Sequence, residues 1–194
     1  ENGKIVFQDL DGEPGLSFDD KQKIGDPNPD FIGGLNSTMR YKGFELNLFF
    51  YGSFGNDIFN MSKASVNMDY LVGLNKTKDI LYDSWTPTNT NAQNPRLSIN
   101  NPINVSDRFV EDGSFLKLKN IQLGYHIPWD KLGIKWINSG QVYVSGQNLL
   151  TFTKYSWYDP EVNSFGGGAS IDQGIDYLTY PTSKSVSVGV KLEF

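Results

Sequence analysis

The chain has 194 residues, a formal net charge of −5 and no cysteine. The acidic balance argues against a nucleic-acid partner, because no basic stripe is present to neutralise phosphates. The lack of cysteine excludes disulfides, thiolate metal sites and cysteine nucleophiles. Aromatic residues make up 14% of the chain and glycine contributes 20 residues, a mixture that favours strands and long loops over helices.

The first candidate site in chain order is an acidic turn at residues 9–20, with the sequence DLDGEPGLSFDD. Its oxygen-bearing groups have the spacing of a calcium loop; they are Asp9, Asp11, Glu13, the Gly15 carbonyl, Ser17 and Asp20. Two residues depart from that pattern: Pro14 stands where the sharp turn requires glycine, and Asp20 is shorter than the usual glutamate. We expect this turn either to bind calcium or to be a solvated acidic turn on the outer surface.

Five segments have the roughly 9–11 residues that a tilted membrane-spanning strand needs. They are predicted at residues 31–41, 44–54, 114–127, 140–152 and 179–194. The last is the clearest, because Val186, Val188 and Val190 alternate strictly with polar residues, which indicates one apolar and one polar face. The third changes phase between Leu118 and Ile121. Either a bulge near residues 119–120 corrects the phase, or the two leucines before it face the polar side.

The predicted connections alternate in length. Lys42-Gly43 and residues 128–139 are short, whereas residues 55–113 and 153–178 are long. Outer-membrane barrels alternate short periplasmic turns with long extracellular loops. A single orientation, with the end of the last strand in the periplasm, sorts all four connections correctly. A loop near 60 residues in a soluble sandwich would instead be unusual.

Aromatic residues cluster at the predicted strand ends, as expected for belts at the two membrane interfaces. The proposed periplasmic set comprises Tyr41, Phe44, Tyr125, Trp129, Trp136 and Phe194. The proposed outer set comprises Phe31, Phe54, Phe115, Phe152, Tyr155 and Tyr180. Residues 62–83, between the second and third strands, also carry a loose helical pattern.

Several stretches, in order along nearly the whole chain, identify a family resemblance. They are residues 3–12 (GKIVFQDLDG), 24–31 (IGDPNPDF), 52–59 (GSFGNDIF), 84–87 (SWTP), 94–96 (NPR), 106–115 (SDRFVEDGSF), 118–125 (LKNIQLGY), 144–151 (VSGQNLLT), 158–161 (YDPE) and 176–181 (DYLTYP). Together they resemble the C-terminal part of SusC/RagA-type TonB-linked outer-membrane proteins of Bacteroidetes.

This resemblance implies an all-β fold: the last five antiparallel strands of a plugged transmembrane barrel of about 22 strands. It implies nutrient uptake, the import of oligosaccharides or peptides, without enzymatic activity. Expected partners are the plug and upstream strands of the same barrel, a SusD-like lipoprotein, TonB acting through the plug, and the lipid bilayer. The plug is not expected within these residues, so we interpret the chain as a piece of a larger protein.

The remaining candidate functional residues carry weaker sequence signals. Tyr155, Trp157, Tyr158 and Asn163 have the side chains that suit sugar contacts, although a structural role in shaping the loop is favoured for them. His126 is the only histidine, which excludes a Ser/His/Asp triad or a multi-histidine site. Asp107, Glu111 and Asp112 are carboxylates in one loop, but the resemblance implies a structural segment there. The alternative function is a soluble, calcium-dependent carbohydrate-binding β module; a glycosidase fragment would need a carboxylate pair that the sequence does not reveal.

Overall fold

The computed structural model describes residues 2–67, 75–98, 104–134, 136–162 and 173–194. The chain divides into two compact units. The sheet unit contains Asn28–Asp57, Asp112–Glu161 and Tyr180–Phe194, and the loop unit contains Glu1–Pro27, Ile58–Glu111 and Val162–Thr179. Within the described residues, no helix is long and apolar enough to cross a membrane.

The sheet unit is built on one five-stranded antiparallel sheet, which confirms the predicted fold class. Its strands, in spatial order, are β1 (Phe31–Tyr41), β2 (Phe44–Phe54), β5 (Phe115–His126), β6 (Ser139–Thr153) and β8 (Ser185–Glu193). β1 and β2 have the predicted bounds. The prediction was wrong for β8, which begins at Ser185 rather than residue 179. The Thr182 N–H donates to the Asp159 carboxylate and Pro181 has no N–H to donate, so the chain joins the sheet only after them.

The hairpin between β1 and β2 confirms the tight turn at Lys42-Gly43. Both residues have positive φ, 47° at Lys42 and 87° at Gly43. Two consecutive residues in this region make a type I′ turn, whose twist matches that of the flanking strands. Glycine adopts this conformation without steric cost. The turn therefore fixes the register in which Tyr41 pairs with Phe44.

The sheet has one apolar and one polar face, and a bulge keeps them separate. The register shifts between Leu118 and Asn120 against both neighbouring strands, so the predicted bulge is confirmed at Lys119. Leu116 and Leu118 thereby share a face with Ile121, and the alternative of two leucines on the polar side is wrong. The apolar face is exposed: Val188 is 77% and Leu35 63% accessible.

The long and short connections leave the sheet at opposite ends. Phe54 and Phe115 lie at one end beside Thr153, and the chain leaves or returns there through both long connections. Tyr41, Phe44 and Tyr125 lie at the other end, where both connections are short. This arrangement agrees with the predicted alternation.

The long connection after β2 forms much of the loop unit. It contains β3 (Asp57–Asn60), α1 (Met61–Asn67), α2 (Lys78–Tyr82) and β4 (Val110–Asp112), and β4-β3-β7 form a small sheet with β7 at Ile175–Asp176. The loosely predicted helix at 62–83 is wrong as one helix, because residues 75–77 are not helical. Asn60 caps α1: its side-chain oxygen accepts the Lys63 N–H at 2.8 Å. Ala64 and Phe109 form a small buried cluster with Ile5 and Phe59 packed against it.

The aromatic residues at the short-connection end lie side by side. The register aligns Tyr41 with Phe44 and Phe44 with Tyr125, and the last two rings are 4.8 Å apart. Trp136 stacks on Phe194 at 5.6 Å, and Trp129 begins the short 3₁₀ turn Trp129–Leu132. Their placement at a membrane interface stays a prediction. At the other end, Phe115 and Tyr155 are each only 5% exposed, so assigning them to the outer aromatic belt was wrong.

Candidate functional site

The polar face of the sheet carries hydrogen-bonded pairs that cross from strand to strand. Thr38 donates to Asn47 at 2.7 Å, and Asn47 donates to Glu45 at 3.0 Å. Arg40 pairs with the same Glu45 at 2.7 Å. His126 lies on this face too, with its Nε2 atom 3.5 Å from Glu45. These neighbours give the lone histidine a polar setting.

Four charged residues form a compact group near the long-connection end of the sheet, which we name the ion cluster: Lys117, Lys119, Asp159 and Glu161. Lys117 contacts both carboxylates, Asp159 most closely and Glu161 at 2.6 Å. Lys119 pairs with Glu161 at 2.6 Å. Lys117 is 1% exposed, so its ammonium depends on these partners for solvation.

The ion cluster lies on the polar face of the sheet, beside the bulge in β5. Lys117 pairs with Tyr51 in the register, on the polar face of the sheet. Lys119 lies two positions further along the strand, so it faces the same side and reaches the same carboxylate as Lys117. The bulge then returns the following residues to the phase in which Ile121 faces the apolar side.

Asp159 is the most heavily bonded member of the ion cluster. It accepts hydrogen bonds from Lys117, from the Glu161 N–H at 3.0 Å and from Thr182, through the N–H at 3.0 Å and the hydroxyl at 2.6 Å. Burial alone would raise the pKa of Asp159, but these hydrogen bonds outweigh it and lower the pKa to about 2. The carboxylate thus stays ionised and joins residues 159 and 182 to strand β5.

The lowered pKa of Asp159 predicts a loss of stability in acid. The ordinary pKa is 3.8 and the folded value is about 2, so the stabilisation is present above pH 4 and is lost as the pH falls through about 2. We expect Asp159→Asn to flatten this part of the curve of unfolding free energy against pH. Urea unfolding of the full-length protein between about pH 2 and pH 4 measures this dependence. If the unfolding free energy changed equally with pH in the two proteins, the lowered pKa of Asp159 would be contradicted.

Sequence reasoning missed the ion cluster as a site. Lys119, Asp159 and Glu161 lay within two stretches, 118–125 and 158–161, that were used only for the resemblance, and Lys117 directly precedes the first of them. The available signal was local: two lysines two positions apart within a predicted strand, beside the expected bulge. Their partners lie 42 residues further on, a separation that no pattern in the strand itself encodes.

The acidic turn brings three of its predicted ligands together. One carboxylate oxygen from each of Asp9, Asp11 and Asp20 lies within 4.8 Å of the others. Glu13 does not belong to this group; its N–H donates to Asp11 at 2.8 Å. Ser17 donates its hydroxyl to Asp11 at 2.6 Å and its N–H to Asp20 at 2.7 Å. Hydrogen bonds from the Leu10 and Ser17 N–H groups lower the pKa of Asp20, which favours the ionised form that a cation requires.

The fit of this turn to calcium is therefore partial. Three carboxylates at short range are the hard oxygen donors that calcium prefers. Carboxylate oxygens have two lone pairs each, so those that accept an N–H retain capacity for a cation. Glu13, the fourth predicted carboxylate, has no counterpart in this group.

The predicted ligand-contact residues separate into two kinds. Tyr155 is buried and its N–H donates to Thr153 at 3.1 Å, which supports the structural alternative for this residue. Tyr158 is 74% exposed, and its ring lies 5.2 Å from that of Trp157 in an edge-to-face arrangement. Asn163 lies outside the described residues.

The loop carboxylates have structural partners. Glu111 pairs with Lys63 at 3.0 Å and accepts a hydrogen bond from Asn60 at 3.2 Å. Asp112 accepts the Ser114 N–H at 2.9 Å, and hydrogen bonds from Ser114 lower its pKa. Asp107 lies in the 3₁₀ turn Asp107–Phe109. These contacts support the structural interpretation of this loop.

Comparison with known proteins places the chain in a family. No protein-family model matches it. TonB-dependent receptor P3 of Formosa agariphila is 39% identical over 99% of this chain and 19% of its own length. TonB-dependent receptor SusC of Bacteroides thetaiotaomicron is 31% identical over the whole chain and 18% of its own length. The chain belongs to the SusC/RagA-type TonB-dependent receptors.

Solved structures agree with this assignment. The RagAB peptide importer in its closed-closed state matches this receptor segment with a TM-score of 0.79 and 30% identity, over 94% of the segment and 19% of the solved chain. The open-open state gives the same TM-score and coverage. The segment is thus about a fifth of the length of its relatives, and its five strands are part of an outer-membrane β-barrel.

Proposed function

We propose that this segment forms part of the wall of a TonB-dependent outer-membrane importer of oligosaccharides or peptides. The observation that carries the proposal is the division of all five strands into one exposed apolar face and one polar face. A lipid-facing exterior and a wet interior require this division. Side chains such as Arg40, Asn47 and Gln122 would then line the transport path. We expect no catalytic step in this segment.

The alternative of a soluble carbohydrate-binding module fits this sheet poorly. Val186, Val188 and Val190 are 69%, 77% and 62% exposed on one face. Leu35 and Met39 are also exposed on the apolar face, at 63% and 51%. Soluble proteins rarely expose an apolar patch of this extent without a partner. Lipid is the partner that a barrel wall provides.

The partners follow from the edges of the sheet and from the connections. In the part of the chain that the structure describes, β1 and β8 each pair on one side only. Unsatisfied backbone groups in lipid cost several kcal/mol each, so we expect upstream strands of the same barrel to cover both edges. The resemblance adds TonB, acting through the plug, and a SusD-like lipoprotein that meets the long connections. With the long connections on the extracellular side, the end of β8 is periplasmic.

The imported class is a carbohydrate or a peptide. The RagAB relative is a peptide importer, whereas the aromatic pair Trp157–Tyr158, of which Tyr158 is exposed, suits stacking on sugar rings. Deleting the gene of the full-length receptor and measuring uptake of labelled oligosaccharides and peptides separates these classes. Restoring the gene should recover uptake only in cells with functional TonB. Uptake that persists after the deletion, or that does not require TonB, would refute the proposal.

We also propose that the acidic turn binds calcium through Asp9, Asp11 and Asp20. Isothermal titration of the full-length receptor with calcium should show binding that Asp11→Asn weakens at least about tenfold, because a central carboxylate is lost. Glu13→Gln is the matched control: it removes the same charge from the same turn but outside the carboxylate group, so affinity should change little. Equal losses in both variants, or no binding by the intact receptor, would remove the proposal.

A further inference from the structure

Residues 155–159, which we name the aromatic arch, are buried at both ends and carry an exposed tyrosine between them. At one end Tyr155 is 5% exposed, and at the other Asp159 is 6% exposed. Tyr158, next to the second anchor, is 74% exposed. Its ring meets that of Trp157 at an interplanar angle of 68°. The segment therefore presents the exposed Tyr158 ring, packed against the partly buried Trp157 ring, from a short backbone held by buried neighbours.

The second anchor depends on Lys117. Asp159 accepts hydrogen bonds from Lys117 and from two groups of Thr182. Lys117 lies within β5, where its backbone is fixed by pairing with Tyr51 on one side and Thr151 on the other. The contact with Lys117 therefore fixes the position of residue 159, and of the Tyr158 ring beside it, relative to strand β5.

A role in holding the aromatic arch in position explains this buried ion pair better than a contribution to stability alone. Removing two charges from water carries a large cost, and apolar residues of similar size are often as stable in the same place. A buried pair does, however, hold its members in one geometry. Holding a loop in its bound conformation reduces the ordering cost of binding a ligand. The ion cluster meets that requirement for the aromatic arch.

We propose that Lys117 is a positioning residue that holds the Trp157–Tyr158 rings as a stacking surface for a neutral oligosaccharide. This inference rests on the proposed import function and names the ligand class for one part of it. Aromatic rings stack on the apolar faces of sugars. The only charged residues in 155–161 are Asp159 and Glu161, and both are paired within the ion cluster. The arch itself therefore supplies no uncompensated charge for a peptide terminus.

The test is calorimetric binding of neutral malto-, xylo- and manno-oligosaccharides to the full-length receptor in detergent. We expect Tyr158→Ala to weaken binding by about threefold to tenfold, and Lys117→Met to weaken it similarly. Because Lys117 acts through the arch, Lys117→Met should have no further effect once Trp157 and Tyr158 are both alanine. Thr182→Val removes one hydrogen bond to Asp159 while Lys117 stays paired, so it provides a milder variant with a smaller loss.

A second readout reports position without any ligand. A nitroxide attached after Tyr158→Cys should become more mobile when Lys117 is replaced by Met, in protein whose gel migration without heating shows that it is folded. Unchanged mobility, or equal weakening by Lys117→Met with and without the two rings, would overturn the positioning role while leaving the import function standing. Binding of peptides but none of the sugars would overturn the ligand class, and no uptake of either class would refute the import function itself.

Discussion

Replacing Lys117 with methionine should destabilise the full-length receptor by about 3–5 kcal/mol, because the change leaves the buried Asp159 carboxylate without its cation. Lys117 is 1% exposed and Asp159 is 6% exposed, so water cannot readily replace the lost ammonium. Methionine has a similar length, so the loss reports charge rather than volume. The measurement is the urea midpoint of the folded receptor in lipid vesicles, read by its migration on an unheated gel.

Two controls identify the cause of this loss. Lys154→Met removes a lysine whose side chain is 87% exposed and lies 3.9 Å from Asp112, so we expect a change below about 0.5 kcal/mol. The double variant Lys117→Met with Asp159→Asn removes both members of the pair and leaves Lys119 with Glu161. It should recover about half of the loss or more. A loss in the double variant equal to the sum of the two single losses would show that the pair is not coupled.

The parts of the fold that were predictable are those encoded by neighbouring residues. The alternation in residues 31–54 and the residues of the Lys42-Gly43 turn define the first hairpin, and β1 and β2 have the predicted bounds. The phase change between Leu118 and Ile121 locates the bulge. The acidic turn brings Asp9, Asp11 and Asp20 together because all three lie within 12 residues of sequence.

The parts that were missed depend on contacts between distant residues. β8 begins late because Thr182 bonds with Asp159, 23 residues before it. The ion cluster joins residues 42 to 44 positions apart. Phe115 has the composition of an interfacial aromatic, yet it pairs with Ser53 on the polar face and is buried against Tyr51. In a strand that contains a bulge, the alternation of residues assigns each side chain to a face only when the phase of the alternation is known on both sides of the bulge.

Substitution of Val188 by arginine should destabilise the receptor by about 2–4 kcal/mol, the cost of a cation facing lipid near the middle of the bilayer. Val188 is the fourth of nine residues in β8 and is 77% exposed. It pairs with Val144 on the apolar face. In a membrane the guanidinium would have to reach an interface or draw water inward, and both responses cost free energy. Unfolding by urea in lipid vesicles measures the loss.

Ser187→Arg is the matched control, because it places the same side chain one residue away on the opposite face. Ser187 pairs with Ser145 across the polar side of the sheet, where water can solvate a cation, so we expect little change in the unfolding free energy. The difference between the two variants isolates the environment of each face, since strand, depth and introduced residue are the same. Equal losses would mean that the valine face does not meet lipid, and the barrel-wall assignment of β8 would fail with it.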